Sequence, residues 1–216
     1  MNHLSWTKKQ LWEGCMLAKI AHAVMAAHYP EFDYEHSWDG MNYGTISDDG
    51  FRGTITFGED LVIGAFKKDY NHQTQKNEAA DLLKGAPNNI IEVAQEETFL
   101  YLLENVNGET KPVVDVVFWG NDQQVFSNCS EDEFMEQTNW MLEQHLKPFE
   151  EALEFWVENY EMNGKQKKLT KILYDKKKKN PTTLFTLTEK EIKMIGKVED
   201  FEVSIESFSQ IGFILE

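Results

Sequence analysis

The fold is decided by FRGTITFGEDLVIGAF, residues 51–66. From Phe51 to Phe57 every second residue is apolar or glycine and the residues between are polar, which is the two-residue period of a strand. Gly58-Glu59-Asp60 predicts a turn, and Leu61 to Phe66 predicts a second strand. Because short strands joined by a tight turn pair antiparallel, this stretch predicts the centre of an antiparallel meander.

The strand pattern continues on both sides of this stretch. Residues 34–38 alternate in the same way, and Asp48-Asp49-Gly50 predicts a hairpin turn, so 34–66 holds three or four strands. Residues 113–119, VVDVVFW, are apolar on both faces and predict a central strand, followed by a last strand at 124–127. We therefore expect an antiparallel sheet of five or six strands, built from the meander 34–66 and from 113–127.

Helical spacing dominates the two ends of the chain. Residues 7–27 open with the capping box Thr7-Lys8-Lys9-Gln10 and carry a broad apolar stripe. Apolar residues recur at 3.6-residue spacing from 131 to 162, where Pro148 predicts either a kink or the start of a new helix. A basic helix is expected at 165–179, and a short one from Thr188. The fold class is therefore α+β, with the sheet packed against an N-terminal helix and long C-terminal helices.

The organisation predicted for the 216 residues is a single α+β domain, 1–216. A helical C-terminal subdomain from about residue 130 is the alternative, and the weakest point for a division is near Gly164, where the charge pattern changes. Residues 77–103 also leave two alternatives open, helix throughout or a strand at 99–103. The polar stretch 67–75 is expected to be a loop.

Charge and composition limit the class of function. The net charge of −16 favours a basic protein partner and repels nucleic-acid phosphates. No leader-like or 20-residue apolar segment is evident, and two cysteines suggest free thiols, so we expect a cytoplasmic protein without a membrane segment. The 21 basic side chains include only one arginine, Arg52, a bias typical of AT-rich bacterial genomes.

The charges are also segregated along the C-terminal half. Residues 131–162 hold ten acidic residues against Lys147, whereas 164–180 hold eight lysines against Asp175. An antiparallel helix hairpin about Asn163-Gly164 would bring these charges together, at about 0–1 kcal/mol for each exposed pair.

Five residues are candidates for a binding site. His36, Trp38 and Asp39 form the most unusual local sequence, because a histidine beside a carboxylate can transfer protons near neutral pH. The strand period places His36 and Asp39 on opposite faces, and Trp38 as core with a turn at Asp39-Gly40 is the alternative. Arg52 and Asp115 lie on predicted neighbouring strands, where a buried pair would mark a functional site, while a structural pair or an exposed Asp115 would not.

No catalytic, metal-binding or nucleotide-binding motif occurs, so neither cofactor nor metal is expected. The leading hypothesis is an acidic protein-binding module of the inhibitor or immunity type. The alternative is a small-ligand-binding protein or hydrolase-like enzyme with a pocket near His36, Asp39, Arg52 and Asp115. A third hypothesis is self-association through the C-terminal helices.

Overall fold

A computed structural model describes residues 1–68, 78–198 and 201–215. In these ranges the strands are β1 (Asn2–Leu4), β2 (His36–Asp39), β3 (Asn42–Ile46), β4 (Phe51–Phe57), β5 (Val62–Lys68), β6 (Leu103–Val106), β7 (Glu109–Pro112), β8 (Val116–Gly120), β9 (Val125–Ser127), β10 (Phe185–Leu187) and β11 (Phe213–Leu215). The α-helices are α1 (Lys8–Met25), α2 (Asn88–Glu96), α3 (Glu131–Gln137), α4 (Phe149–Asn159), α5 (Gly164–Lys179), α6 (Glu189–Ile195) and α7 (Glu202–Ser209). Short 3₁₀ helices span Pro30–Phe32, Ala79–Leu83, Thr98–Leu102 and Gln144–Leu146.

The chain is an α+β protein with an antiparallel sheet, as the sequence predicts, and it divides into two compact units. The first unit comprises residues 1–11 and 41–143, and the second comprises 12–40 and 144–216. The boundary near 144 differs from the predicted start of a helical subdomain near 130, because α3 belongs to the first unit. The single-domain organisation stays a prediction.

The first unit holds six of the seven strands of the main sheet, in the order β1-β9-β8-β5-β4-β3. Each neighbouring pair is antiparallel. The seventh strand, β2, belongs to the second unit. The count exceeds the predicted five or six because β1, a three-residue strand paired with β9, is too short for its alternation to be seen.

Both faces of this sheet are covered within the first unit. On one face, Ile63 and Trp119 pack with residues of the 79–102 segment, including Leu83 and Phe99. On the other face, four aromatic rings stand 5.3–6.1 Å apart between centroids: Trp6, Phe66, Phe118 and Phe134. Side chains of β5 and β8 therefore contribute to both apolar layers, which explains why residues 62–66 of β5 and 116–119 of β8 are apolar on both faces.

Three sequence predictions in the first unit need correction. Residues 90–103 are neither all helix nor strand from 99, because α2 is followed by the 3₁₀ helix 98–102 and a strand begins only at Leu103. The strand predicted from Val113 begins at Val116. Asn107 and Gly108, with φ of 57° and 90°, form the turn that joins β6 to β7. The loop predicted at 67–75 is wrong for Lys67 and Lys68, which end β5, and the rest of it lies outside the described residues.

Between 131 and 162 a kinked continuous helix is wrong, and the alternative, a new helix starting at Pro148, is confirmed. α3 ends at Gln137, and Asn139 and Trp140 adopt left-handed φ values of 49° and 59°. α4 begins only after Pro148, which is its N-cap residue. The apolar spacing across this region therefore marks buried positions that belong to separate elements.

The second unit contains α1 from Trp12 onward, together with α4 to α7 and the parallel pair β10 and β11. Its core includes the buried Leu169, Leu173, Phe208 and Phe213. The predicted α4–α5 hairpin is confirmed, because Lys171 Nζ lies 2.6 Å from Glu150 Oε1 and Lys167 pairs with Glu154. These ion pairs are exposed, so they help to orient α4 against α5 but contribute little to the free energy of unfolding.

Candidate functional site

The structure places His36, Trp38 and Asp39 on β2 with alternating burial. His36 and Trp38 are buried and Asp39 is exposed. The Trp38 indole donates to the carbonyl oxygen of Gly40 over 3.1 Å, and Gly40 has a φ of 57°. His36 and Asp39 therefore point to opposite faces, as the strand period predicts, and the structure does not bring them together as an acid–base pair.

Arg52 and Asp115 lie in the first unit and are both exposed. Arg52 is opposite Lys67 in the β4–β5 register, while Asp115 Oδ2 accepts a hydrogen bond from the backbone nitrogen of Lys68 at 2.9 Å. β5 therefore runs between them, which separates their backbones by about 10 Å. Asp115 precedes β8 and faces solvent, so its place inside VVDVVFW does not make it a buried charge. The pocket hypothesis built on these residues stays a prediction.

His36 instead contributes to a buried cluster in the second unit, centred on Lys19 of α1. The Lys19 side chain is only 1% exposed. Its Nζ donates to the His36 carbonyl oxygen at 2.9 Å and to Ser207 Oγ at 2.7 Å. The His22 ring lies 5.6 Å from the His36 ring, centroid to centroid, and the His145 ring lies 6.0 Å from it.

The hydrogen bonds of this cluster run in one direction. His22 Nε2 lies 3.0 Å from the Phe32 carbonyl oxygen, which can only accept, so Nε2 carries the proton. Nδ1 of the neutral ring is then the acceptor for the Ser207 hydroxyl, 3.2 Å away. Ser207 in turn accepts from Lys19. In the series from Lys19 through Ser207 and His22 to Phe32 each donor therefore has an acceptor, and each hydrogen bond polarises the next.

Burial sets the charge state of this cluster. Burial lowers the pKa of Lys19 to about 7, an effect that Glu206 opposes through its negative charge. Burial also lowers the pKa of His22 to about 4, with a further contribution from Lys19. The pKa of His36 is lowered by burial first and then by His22, His145 and Lys19. His22 and His36 are therefore neutral near pH 7, whereas Lys19 is protonated in about half of the molecules.

A lysine amine bonded to a serine hydroxyl can act as a base for a nucleophile in hydrolases. Here Ser207 is 4% exposed and its proton points to His22, so the pair is closed to solvent. The cluster supports packing and pH-dependent stability more directly than catalysis. Sequence reasoning missed Lys19, although its position four residues after Cys15 and three before His22 puts it on the apolar stripe of α1.

A second group of side chains with functional potential is exposed. Leu100, Tyr101 and Leu103 of the first unit are 53%, 42% and 41% exposed, and we call them the Leu100 patch. They lie at the end of the 3₁₀ helix 98–102 and at the start of β6. Large apolar side chains grouped at the surface are typical of a binding face.

A buried hydrogen-bond network holds this patch in place. Asn42 Nδ2 donates to Glu97 Oε2 at 2.9 Å and reaches the Tyr101 hydroxyl oxygen at 3.3 Å. Behind it, Asn42 Oδ1 accepts from Thr56 Oγ1 at 2.6 Å, and Thr56 Oγ1 lies 2.7 Å from Thr98 Oγ1. Asn42, Thr56 and Thr98 are buried. Side chains in the interior of the first unit therefore hold Glu97 and Tyr101 in position.

The surroundings of the Leu100 patch are acidic. Five glutamates and no basic residue occur between residues 85 and 110: Glu92, Glu96, Glu97, Glu104 and Glu109. Glu104 forms an ion pair with the buried Lys67, which ties β6 to β5. The other four glutamates flank the patch in sequence, while Lys111, opposite Glu104 in the β6–β7 register, pairs with Glu78.

The described residues hold no group of three or more His, Cys, Asp or Glu side chains arranged to bind a metal ion. None of the helices in that part of the chain is long and apolar enough to cross a membrane. The absence of a cofactor stays a prediction.

Three comparisons were made, with models of protein families, with curated proteins and with solved structures. None of them gave a match to this chain. The function is therefore argued from the geometry and charge of the chain itself.

Proposed function

We propose that this chain is an acidic protein-binding module that covers a basic surface of another protein, in the manner of an inhibitor or immunity protein. The observation that carries the proposal is the Leu100 patch: three exposed apolar side chains set among glutamates. Apolar contact would supply affinity, and the carboxylates would select a basic partner and speed the encounter.

Tyr101 is the expected anchor of the interface. Tyrosine combines a large apolar ring with a hydroxyl, and its hydroxyl already meets Asn42. Asn42 is fixed by the network behind it and contacts the Tyr101 hydroxyl, so the Tyr101 side chain has little conformational freedom left to lose on binding. The net charge of −16 extends the attraction beyond the contact area.

The test compares two triple variants of the full-length tagged chain in its native cell extract. The first variant changes Leu100, Tyr101 and Leu103 to serine. The matched control changes three exposed apolar residues of the second unit to serine: Leu184, Ile205 and Ile214. Proteins retained at about 50 mM NaCl and released at about 500 mM are identified by mass spectrometry, since salt screens charge attraction.

The expected result is one basic protein retained by the wild type and the control and lost with the first variant. With that partner purified, Tyr101→Ala should weaken the dissociation constant by about 30-fold or more, the range of an interface anchor. Equal retention by both triple variants, or a partner that is acidic or insensitive to salt, contradicts the proposal.

A further inference from the structure

A pocket in the first unit lies apart from the residues of the Leu100 patch. It has a cavity volume of about 320 Å³ and is formed where the start of α2 meets the β4–β5 turn and the β8–β9 turn. This volume is at the lower end of the range for small-molecule sites, about 300–1,000 Å³. It suits a single compact ligand.

One wall of the pocket is aromatic and apolar. Trp119 of β8 and Phe126 of β9 are paired in the antiparallel register, so both side chains lie on the same face of the sheet. Ile90 of α2 closes this side, and because Ile90 and Trp119 are 4% and 2% exposed, the half-buried Phe126 offers the more accessible ring. A flat aromatic ring is the shape that such a wall accommodates.

The opposite rim is polar and held by its own turn. Asn121 Oδ1 accepts hydrogen bonds from the backbone nitrogens of Gln123 and Gln124 at 2.9 and 3.1 Å. The backbone nitrogen of Asn121 donates to the Gln124 carbonyl oxygen at 2.9 Å. Asn121 and Gln124 both line the pocket. Their positions are therefore fixed before a ligand arrives.

The charge at the rim is negative. Asp60 lines the pocket, and no basic side chain is among the described residues that do so. Glu59 and Asp122 flank the lining residues in sequence. Lys8 Nζ lies 3.0 Å from Asp122 Oδ1 and 2.5 Å from the Glu59 carbonyl oxygen, and Met1, which carries the α-ammonium group, also lines the pocket, so two positive charges stand against three carboxylates. The rim thus favours a cation and disfavours an anionic ligand such as a phosphate.

We propose that this pocket binds a small aromatic amine, with its ring against Trp119 and Phe126 and its ammonium group beside Asp60. The site is independent of the proposed protein-binding function. The choice of ligand class follows from combining an aromatic wall with a single carboxylate at the opening.

The test uses tryptamine and indole-3-acetate, which share a ring and carry opposite charges. Binding to the full-length chain is measured by calorimetry and by the NMR signal of the Trp119 indole N–H, assigned with Trp119→Phe. Tryptamine should shift this signal and bind at least about ten-fold more tightly than indole-3-acetate at low salt. Asp60→Asn should remove that preference, and Asp81→Asn, an exposed carboxylate outside the pocket lining, should keep it.

Several outcomes would overturn the inference. An unmoved Trp119 signal at about 5 mM tryptamine means that the pocket does not take this class of ligand. Equal affinity for the two compounds, or a preference that survives Asp60→Asn, means that the rim charge does not select the ligand. Loss of the preference in both aspartate variants would indicate a general charge effect and not a site.

Discussion

Replacing Lys19 with methionine should change how the stability of the protein depends on pH. Methionine keeps much of the length of the lysine side chain but cannot be charged. In the folded protein the pKa of Lys19 is about 7, because burial penalises its charged form. In the unfolded chain its pKa returns to about 10.5. Between these values the unfolded chain binds one more proton than the folded protein, so the free energy of unfolding rises with pH.

The size of the effect follows from the width of that window. Each pH unit within it adds about 1.4 kcal/mol to the free energy of unfolding. From about pH 7.5 to about pH 9.5 the wild type should therefore gain about 2.5 kcal/mol relative to Lys19→Met. Other groups that titrate in this range affect both proteins alike, and the difference between the two curves cancels their contribution.

Urea unfolding followed by circular dichroism across this pH range measures the difference. Lys193→Met is the matched control, because the Lys193 side chain is 77% exposed, and its curve should run parallel to that of the wild type. Parallel curves for the wild type and Lys19→Met would refute the reasoning. They would mean that Lys19 keeps its proton inside the fold.

Two further substitutions test packing and capping. Gly64→Ala should lower the free energy of unfolding by about 1–3 kcal/mol in a urea titration, because the new Cβ would lie 2.3 Å from the buried Phe118 ring. Gly164→Ala, with nothing within 4 Å of its new Cβ, should be neutral or slightly stabilising, and an equal loss would contradict this account. Asn163→Ala should cost about 1 kcal/mol in thermal or urea unfolding, because Asn163 caps α5 and Gln166 completes the capping box. No change on removing the Asn163 side chain would show that water replaces the cap.

Much of the fold could be predicted from the sequence because the period of the apolar residues and the capping residues at the helix ends indicate the same elements. The meander, α1 with its Thr7–Gln10 capping box, and α6 with Thr188 and Glu191 as its capping box, all appear where the pattern indicates. The α4–α5 pairing followed from charge, because ten acidic residues precede eight lysines across a short connection. In these places local preference and tertiary packing point the same way.

Other elements could not be predicted because tertiary contacts decide them. β1, β10 and β11 have three residues each, too few to display a period, and their strand conformation comes from their partners. Between 131 and 162 the apolar spacing continued through Asn139 and Trp140, where the backbone leaves the helix. A buried position has the same residue preference whichever element carries it.

The candidate sites were predicted only in part, and for a related reason. His36 is in a polar cluster, but its neighbours Lys19 and Ser207 are distant in sequence and meet only in the folded second unit. Leu100 and Tyr101 follow a helical pattern that gives no sign of which residues remain uncovered. Exposure depends on what the rest of the chain fails to cover, and this is a property of the assembled unit.

The network behind the Leu100 patch also has a consequence for how the protein could diversify. Thr56 of β4 and Thr98 of the 3₁₀ helix 98–102 are buried and cannot contact a partner, yet through Asn42 they hold the surface positions of Glu97 and Tyr101. A substitution at either threonine would reshape the outer face from within. If the Leu100 patch binds a partner as proposed, substitutions in the interior could thus change which partner it binds, while its three apolar side chains stay constant.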